Sequence, residues 1–351
     1  MSYRHRRFMV PRRSAIERAA VLALLLLTGK GSRADEACSS NGPVWPDLAQ
    51  PVSSFGGTVV DGRLYVYSGH VGEAHAHSRK NLSTTFQRLT LDGDGGSGWE
   101  QLPAGPGLQG LPLAGWDGAL YRVGGLAAKN EPGEEPDLRS VADVVRFDPR
   151  SKSWTPLTSL PAGRSSHDAV AFDGKLYVVG GWNLGGGEER WHSSALVFDL
   201  AEPHGSWKEL PRQPFERRAL ATVVHGGKLY AAGGMTPEGP SLEVDCLDLA
   251  TGRWHQGPAI PAGDAKGKMN GFGCSACTVG SRLFLSTMDG AVQELSADGT
   301  AWREVGRLKI ARFFHRLLPR NERELIAVAG ASMKFGHLGS LETFVIPPTQ
   351  P

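Results

Sequence analysis

Three groups of side chains in this 351-residue chain have types and spacing that could do chemistry. His70, His75 and His77 fall within eight residues, and His192, His337, His167 and His315 lie in comparable stretches, seven of the eleven histidines in all. Neutral imidazoles can ligate a metal or hydrogen-bond a ligand. Trp182 and Trp191 bracket the segment WNLGGGEERWH, beside Glu188, Glu189, Arg190 and His192. Aromatic faces next to charges suit stacking on sugar rings or anchoring a protein partner, or they fold back as cover. Arg164, Arg217 and Arg312 each stand just before an apolar run. A guanidinium can grip a carboxylate bidentately, and it can equally serve neighbouring strands. Arg164-x-x-His167 and Arg312-x-x-His315 share one spacing, which marks a repeated structural feature as readily as a site.

Complete catalytic motifs are missing: there is no G-x-S-x-G, no H-E-x-x-H and no phosphate-binding glycine loop. Cys274-x-x-Cys277 has no second CxxC to make a zinc set, and in a strand its two side chains point to opposite faces. The expectation is therefore no metal and no cofactor. Cys38, Cys246, Cys274 and Cys277 are expected as buried thiols or one long-range disulfide.

The formal net charge is +2, and arginines among residues 4–13 carry much of the positive side. What remains is near neutral, without a basic stripe for nucleic acid. Residues 1–34 combine that basic stretch with the apolar run Ala19–Leu27 and with Ser32-Arg33-Ala34, an arrangement expected of an export signal cleaved after Ala34. The apolar run is shorter than the roughly 20 residues that cross a bilayer. The expectation is a secreted or periplasmic protein whose mature chain has no membrane span, with the export route left open.

The elements that must position these groups are written as a repeat. DGRLYVYSGH (61–70), DGALYRVGGL (117–126), DGKLYVVGGW (173–182) and GGKLYAAGGM (226–235) are followed by the degenerate GSRLFLSTMD (280–289) and ERELIAVAGA (322–331). Their leucines, from Leu64 to Leu325, stand between 42 and 56 residues apart. Trp45, Trp99, Trp154, Trp207, Trp254 and Trp302 give a second series of similar period. Asp-Gly between two apolar runs predicts a hairpin on a type I′ turn, and paired glycines close its second strand. A third strand and a tryptophan-bearing fourth complete each unit.

Hairpin, diglycine, tyrosine and tryptophan at these offsets resemble the kelch repeat, over nearly all of residues 44–347. The resemblance implies an all-β, six-bladed β-propeller of four-stranded antiparallel blades over residues 35–351. An N-terminal strand would join the C-terminal blade, since residues near Trp45 precede the first hairpin and the last hairpin has only Leu341–Ile346 after it. In such a fold the segments 68–84, 124–141, 180–194, 233–242, 286–290 and 330–340 share one rim with those entering the first strands.

The leading expectation is a binding module taking a carbohydrate or protein ligand on that rim, through Arg164, His167, Trp182, Glu188, Glu189, Trp191, His192, Arg217, Arg312 and His315. The alternative is a sugar mutarotase. The exported kelch proteins that open and close sialic acid rings are similar in length and blade number, and WPDLAQPVSSFGG (45–57) is similar to their opening. That resemblance implies an acid, a base and an arginine among Glu188, Glu189, His192 and Arg217, although the family's catalytic residues find no matching positions here. Copper-radical oxidase chemistry does not fit, because Tyr65, Tyr67, Tyr121, Tyr177 and Tyr230 all fall in second strands. The Glu-x-x-x-Asp-x-x-x-His motif of iron-dependent kelch proteins is absent.

Overall fold

The computed structural model describes residues 43–93, 98–185, 188–263 and 267–348. The expected export signal and Cys38 lie outside them. Each Asp-Gly or Gly-Gly pair does what its position demands. Asp61-Gly62, Asp117-Gly118, Asp173-Gly174 and Gly226-Gly227 all have positive φ, the type I′ requirement. Each turn joins a first strand to a second, as in Asp168–Phe172 with Lys175–Val179. The third strand pairs on the far side of the second, and the fourth on the third. Five such four-stranded sheets run from Gly56 to Arg307. A sixth holds the three strands Arg316–Asn321, Glu324–Val328 and Leu341–Val345, and residues 48–52 bond to the chain just before its last strand. The result is an all-β propeller of six blades, and no helix among the described residues is long and apolar enough to cross a membrane.

The repeat leucines Leu64, Leu120, Leu176, Leu229, Leu283 and Leu325 are all fully buried between blades. At about 1.5–3 kcal/mol of transfer free energy each, they are a large part of what makes one blade cohere with the next. The fourth-strand tryptophans add a polar stitch. The indole N–H of Trp154, Trp207, Trp254 and Trp302 donates to Pro103, Thr158, Pro211 and Pro258, each the carbonyl four residues after the preceding blade's tryptophan. Trp99 donates to the Pro46 carbonyl, which lies one residue after Trp45 and not four. Trp45 therefore does not belong to that series. It is buried, with its indole N–H on Thr343 Oγ1. Closure still follows: Leu48 N–H donates to Gly339 and Val52 N–H to Leu338, while the Gly330 N–H donates to Val52.

Four of the segments expected as plain loops contain short two-stranded ribbons: 126–128 with 138–140, 182–185 with 188–191, 235–236 with 239–240, and 331–332 with 336–337.

Candidate functional site

The rim converges on a closed hydrogen-bonded ring. Ser54, Gly110, Ser166, Ala219, Gly273 and Phe314, one from each blade, immediately precede the innermost strands. Each N–H donates to the carbonyl of the equivalent residue in the preceding blade, at 2.7–3.0 Å, and Ser54 N–H closes the circle on Phe314. All six have φ between 51° and 64°, which turns both amide and carbonyl around the ring. A cavity of about 60 Å³ lies on this axis. Beside it Arg316 of blade 6 reaches Asp168 of blade 3, at 2.9 Å, and also the Leu111 carbonyl of blade 2. Asp168 in turn accepts from the Thr222 N–H of blade 4. This cross-ring brace occupies the axis beneath the mouth of the ring.

The three arginines expected at that mouth are turned into the blades. Arg164 donates to the Gly180 and Ser194 carbonyls and to Ser194 Oγ. Arg217 holds the Gly233, Ala231 and Glu243 carbonyls and Asp245. Arg312 holds those of Ala329 and Ser340, with Glu342. All three are at most 2% exposed. They staple the end of the second strand to the start of the third. His167 and His315 are buried too. Burial first, then neighbouring arginine charge, holds both well below the usual imidazole pKa, so they are neutral. Ser286 Oγ meets His315 Nε2 at 2.6 Å, whereas neither His167 nitrogen has a partner among the described residues.

Trp182 and Trp191 do meet. They are cross-strand partners in the blade 3 ribbon, with ring centroids 5.7 Å apart. The guanidinium of Arg218, next to Ala219 of the ring, lies 4.1 Å from the Trp182 centroid and 5.7 Å from that of Trp191. Arg218 Nε and Trp182 Nε1 are both buried without a hydrogen-bond partner. No carboxylate forms an ion pair with Arg218 among the described residues; Glu189 acts on it only through its field and instead accepts from Trp191 Nε1. His192 Nε2 contacts the Gly163 carbonyl, and burial lowers its pKa to about 4. Glu188 belongs to the same strand by its backbone, and its side chain lies outside the described part.

Arg218 was missed by reading the arginines as separate landmarks. The aligned segments Val52-Ser53-Ser54, Arg164-Ser165-Ser166, Arg217-Arg218-Ala219 and Arg312-Phe313-Phe314 carry the signal. In extended backbone neighbouring side chains diverge, so when Arg217 turns inward Arg218 faces the mouth. Equivalent positions supply Gln109, Phe272 and Phe313, and Phe272 meets Phe314 edge-on.

The histidines form a third sector. His70 Nε2 lies 2.7 Å from the Ala76 carbonyl and must donate to it, so His70 Nδ1 accepts from His337 Nε2 at 3.0 Å. His77 packs edge-on against His70, and burial lowers its pKa to about 4. Among the described residues no group of three or more His, Cys, Asp or Glu could hold a metal ion. Cys246, Cys274 and Cys277 are free, buried thiols.

Comparisons with known proteins extend this picture. Residues 110–295, more than half of the chain, match the KLHDC2/KLHL20/DRC7 Kelch-repeats domain. Kelch-like protein 40 of Xenopus tropicalis is 28% identical over 182 residues, 51% of this chain and 27% of that protein. Kelch domain-containing protein 8B of Rattus norvegicus is 30% identical over 40% of this chain and 39% of its own length. These matches thus span well under half of either relative. The N-acetylneuraminate epimerase of Haemophilus influenzae (strain 86-028NP) is 28% identical over 251 residues, 62% of this chain and 60% of that protein. The solved structure of YjhT superposes with a TM-score of 0.69 over 87% of this chain and 98% of its own, at 19% identity, a likeness of fold. With six hairpins, five stitching tryptophans and a matching repeat domain, the chain belongs to the kelch-repeat family of β-propellers.

Proposed function

We propose that this protein is an exported binding module that takes an acidic carbohydrate at the mouth of the propeller. The observation that carries the reading is Arg218, a cation held over two tryptophans beside the ring with no carboxylate ion-paired to it among the described residues. A carboxylate would meet the guanidinium by charge-assisted hydrogen bonds, and a sugar ring would stack on the indoles. Trp182, Trp191, Arg218 and Glu189 form the contact set; Arg164, Arg217, Arg312, His167 and His315 hold the scaffold behind it. Titration of the full chain with acidic and neutral sugars, followed by tryptophan fluorescence, tests this. Binding of an acidic sugar that falls at least about tenfold in Arg218→Ala supports it; a flat response to every acidic sugar refutes it.

A second reading, ring opening and closing of such a sugar, is favoured by the likeness to N-acetylneuraminate epimerase. Glu189 would then move a proton at the ring oxygen, with Arg218 rather than Arg217 orienting the carboxylate. Anomer exchange of N-acetylneuraminate followed by NMR separates the two: acceleration makes the protein an enzyme, and binding without acceleration leaves it a module.

A further inference from the structure

Resting on the acidic-sugar reading, we propose that the mouth takes both ends of one ligand: the acidic sugar at Arg218, and an aromatic aglycone on the arc of blades 5 and 6. Phe313 occupies in blade 6 the place that Arg218 has in blade 4. Arg218 exchanges both backbone bonds with Met235, and Phe313 exchanges both with Ala331. Each follows an arginine turned into its blade, Arg217 or Arg312, and alternation then aims both side chains at the mouth. Between them Gly273 joins the ring, its N–H on the Ala219 carbonyl and its carbonyl taking the Phe314 N–H. Phe314 covers that glycine, since a Cβ there would come within 2.8 Å of Phe314 Cδ1. Phe272 meets Phe314 edge-on at 4.9 Å, and Phe313 lies 5.1 Å from it. Three aromatic rings thus cluster on the two ring positions that follow the one beside Arg218.

Blade 5 leaves this cluster open. Blades 2, 3, 4 and 6 each raise a two-stranded ribbon after their second strand. Blade 5 has a tight turn instead, in which the Gly290 N–H donates to the Thr287 carbonyl and the Thr287 N–H to that of Ala291. Phe272, Phe313 and Phe314 are accordingly only part-buried. The segments flanking them carry Met269, Met333 and Phe335, at 36%, 66% and 56% exposure, half of the six exposed large hydrophobics among the described residues. Apolar surface gathered in this way marks a contact site. The neighbouring charges select its occupant. Lys268 and Lys334 stand beside these side chains with no carboxylate partner among the described residues, and Lys334 Nζ lies 4.9 Å from the Phe335 centroid. Asp289 on the blade 5 turn is already held by Thr287 Oγ1 and the Ala291 N–H, and Glu238 stands at the tip of the blade 4 ribbon. An anion joined to an aromatic group satisfies both features. A neutral aryl ligand leaves the Arg218 cation unmet, and a bare acidic sugar leaves the aromatic arc in water.

The test is calorimetric titration of the full chain with the methyl and phenyl glycosides of glucuronate and of N-acetylneuraminate, beside methyl and phenyl β-glucoside. For at least one acid the phenyl glycoside should bind about tenfold or more tightly than the methyl one, the gain expected from taking a phenyl ring out of water. Phe313→Ala should erase that gain, and Phe313→Tyr, which keeps the ring, should retain it. Arg218→Ala should weaken both glycosides of the acid alike and leave their ratio standing. Equal affinities of the methyl and phenyl glycosides for both acids overturn the proposal, and this ratio in the unaltered chain decides even if Phe313→Ala does not fold. A gain that persists in a folded Phe313→Ala, or no binding of any phenyl glycoside at about 10 mM, overturns it as well. Failure of the acidic-sugar reading looks different: phenyl β-glucoside would bind as tightly as the acidic phenyl glycosides, refuting the acid and with it the two-ended ligand.

Discussion

Replacing Asp168 with alanine should be among the most damaging single changes in the propeller, although the residue touches no proposed ligand. Its carboxylate serves two other blades at once, the Arg316 guanidinium from across the ring and the Thr222 amide from next door. Asp168 is 7% and Arg316 21% exposed at the side chain, so the pair is largely out of water. Removing one partner from a buried pair costs about 3–5 kcal/mol, and the partial exposure of Arg316 together with its bond to the Leu111 carbonyl argues for the lower end. For a domain of this size about 3 kcal/mol corresponds to a fall of roughly 4–6 °C in melting temperature. Asp168→Asn, which keeps an acceptor for Thr222, should lose less, the difference reporting the stranded amide at about 1–3 kcal/mol. Arg316→Met combined with Asp168→Ala should recover part of the loss, with a coupling energy of about 1–3 kcal/mol in a double-mutant cycle. Calorimetry of the four proteins decides it. Additive effects within about 0.5 kcal/mol would refute the brace.

Three further outcomes follow from the same geometry. Arg217→Ala should destabilise by about 3–5 kcal/mol, since it strands Asp245 and three carbonyls, whereas Arg218→Ala should leave stability within about 1 kcal/mol; urea titration distinguishes adjacent arginines with opposite duties. His77 and His192 have folded pKa values lowered from 6.5 to about 4, so the unfolded chain binds more protons between those values. Their contribution is complete above pH 6.5 and is lost as pH falls toward 4, at no more than about 1.4 kcal/mol per unit for each histidine and less where solvent screens these half-buried rings. Denaturant titrations at pH 7, 6 and 5 should show that slope, and His77→Gln with His192→Gln should flatten it. Burial pushes the Cys274 thiol up to about 12 and raises that of Cys277 as well, so at pH 8 a thiol reagent should modify both only when the chain unfolds.

The blade architecture was legible because it rests on local chemistry. Asp173-Gly174 can make its turn wherever it stands, and Leu176 is apolar in a strand of period two whatever its neighbours. Trp45 misled because spacing alone cannot tell a fourth-strand tryptophan from one three residues displaced; only the indole bond of Trp99 to Pro46 fixes the register. Candidate site residues were harder for a related reason. Arg164, Arg217 and Arg312 look ligand-ready as types, and their turn into the blade depends on carbonyls at Ser194, Glu243 and Ser340, remote in sequence. The pairing of Trp182 with Trp191 was closer to reach, since both close one short segment, but the cation above them comes from the next blade. The ring of six positive-φ residues is invisible to composition, because Ser, Gly, Ala and Phe share no side-chain chemistry there.

The most direct test of the central claim is calorimetric titration of the full chain with N-acetylneuraminate, beside Arg218→Ala and Trp191→Ala. The account predicts one mouth site, with each variant weakening it by about tenfold or more while the melting temperature holds. Undiminished binding in both variants, or no binding of any acidic sugar to the unaltered chain, would contradict it.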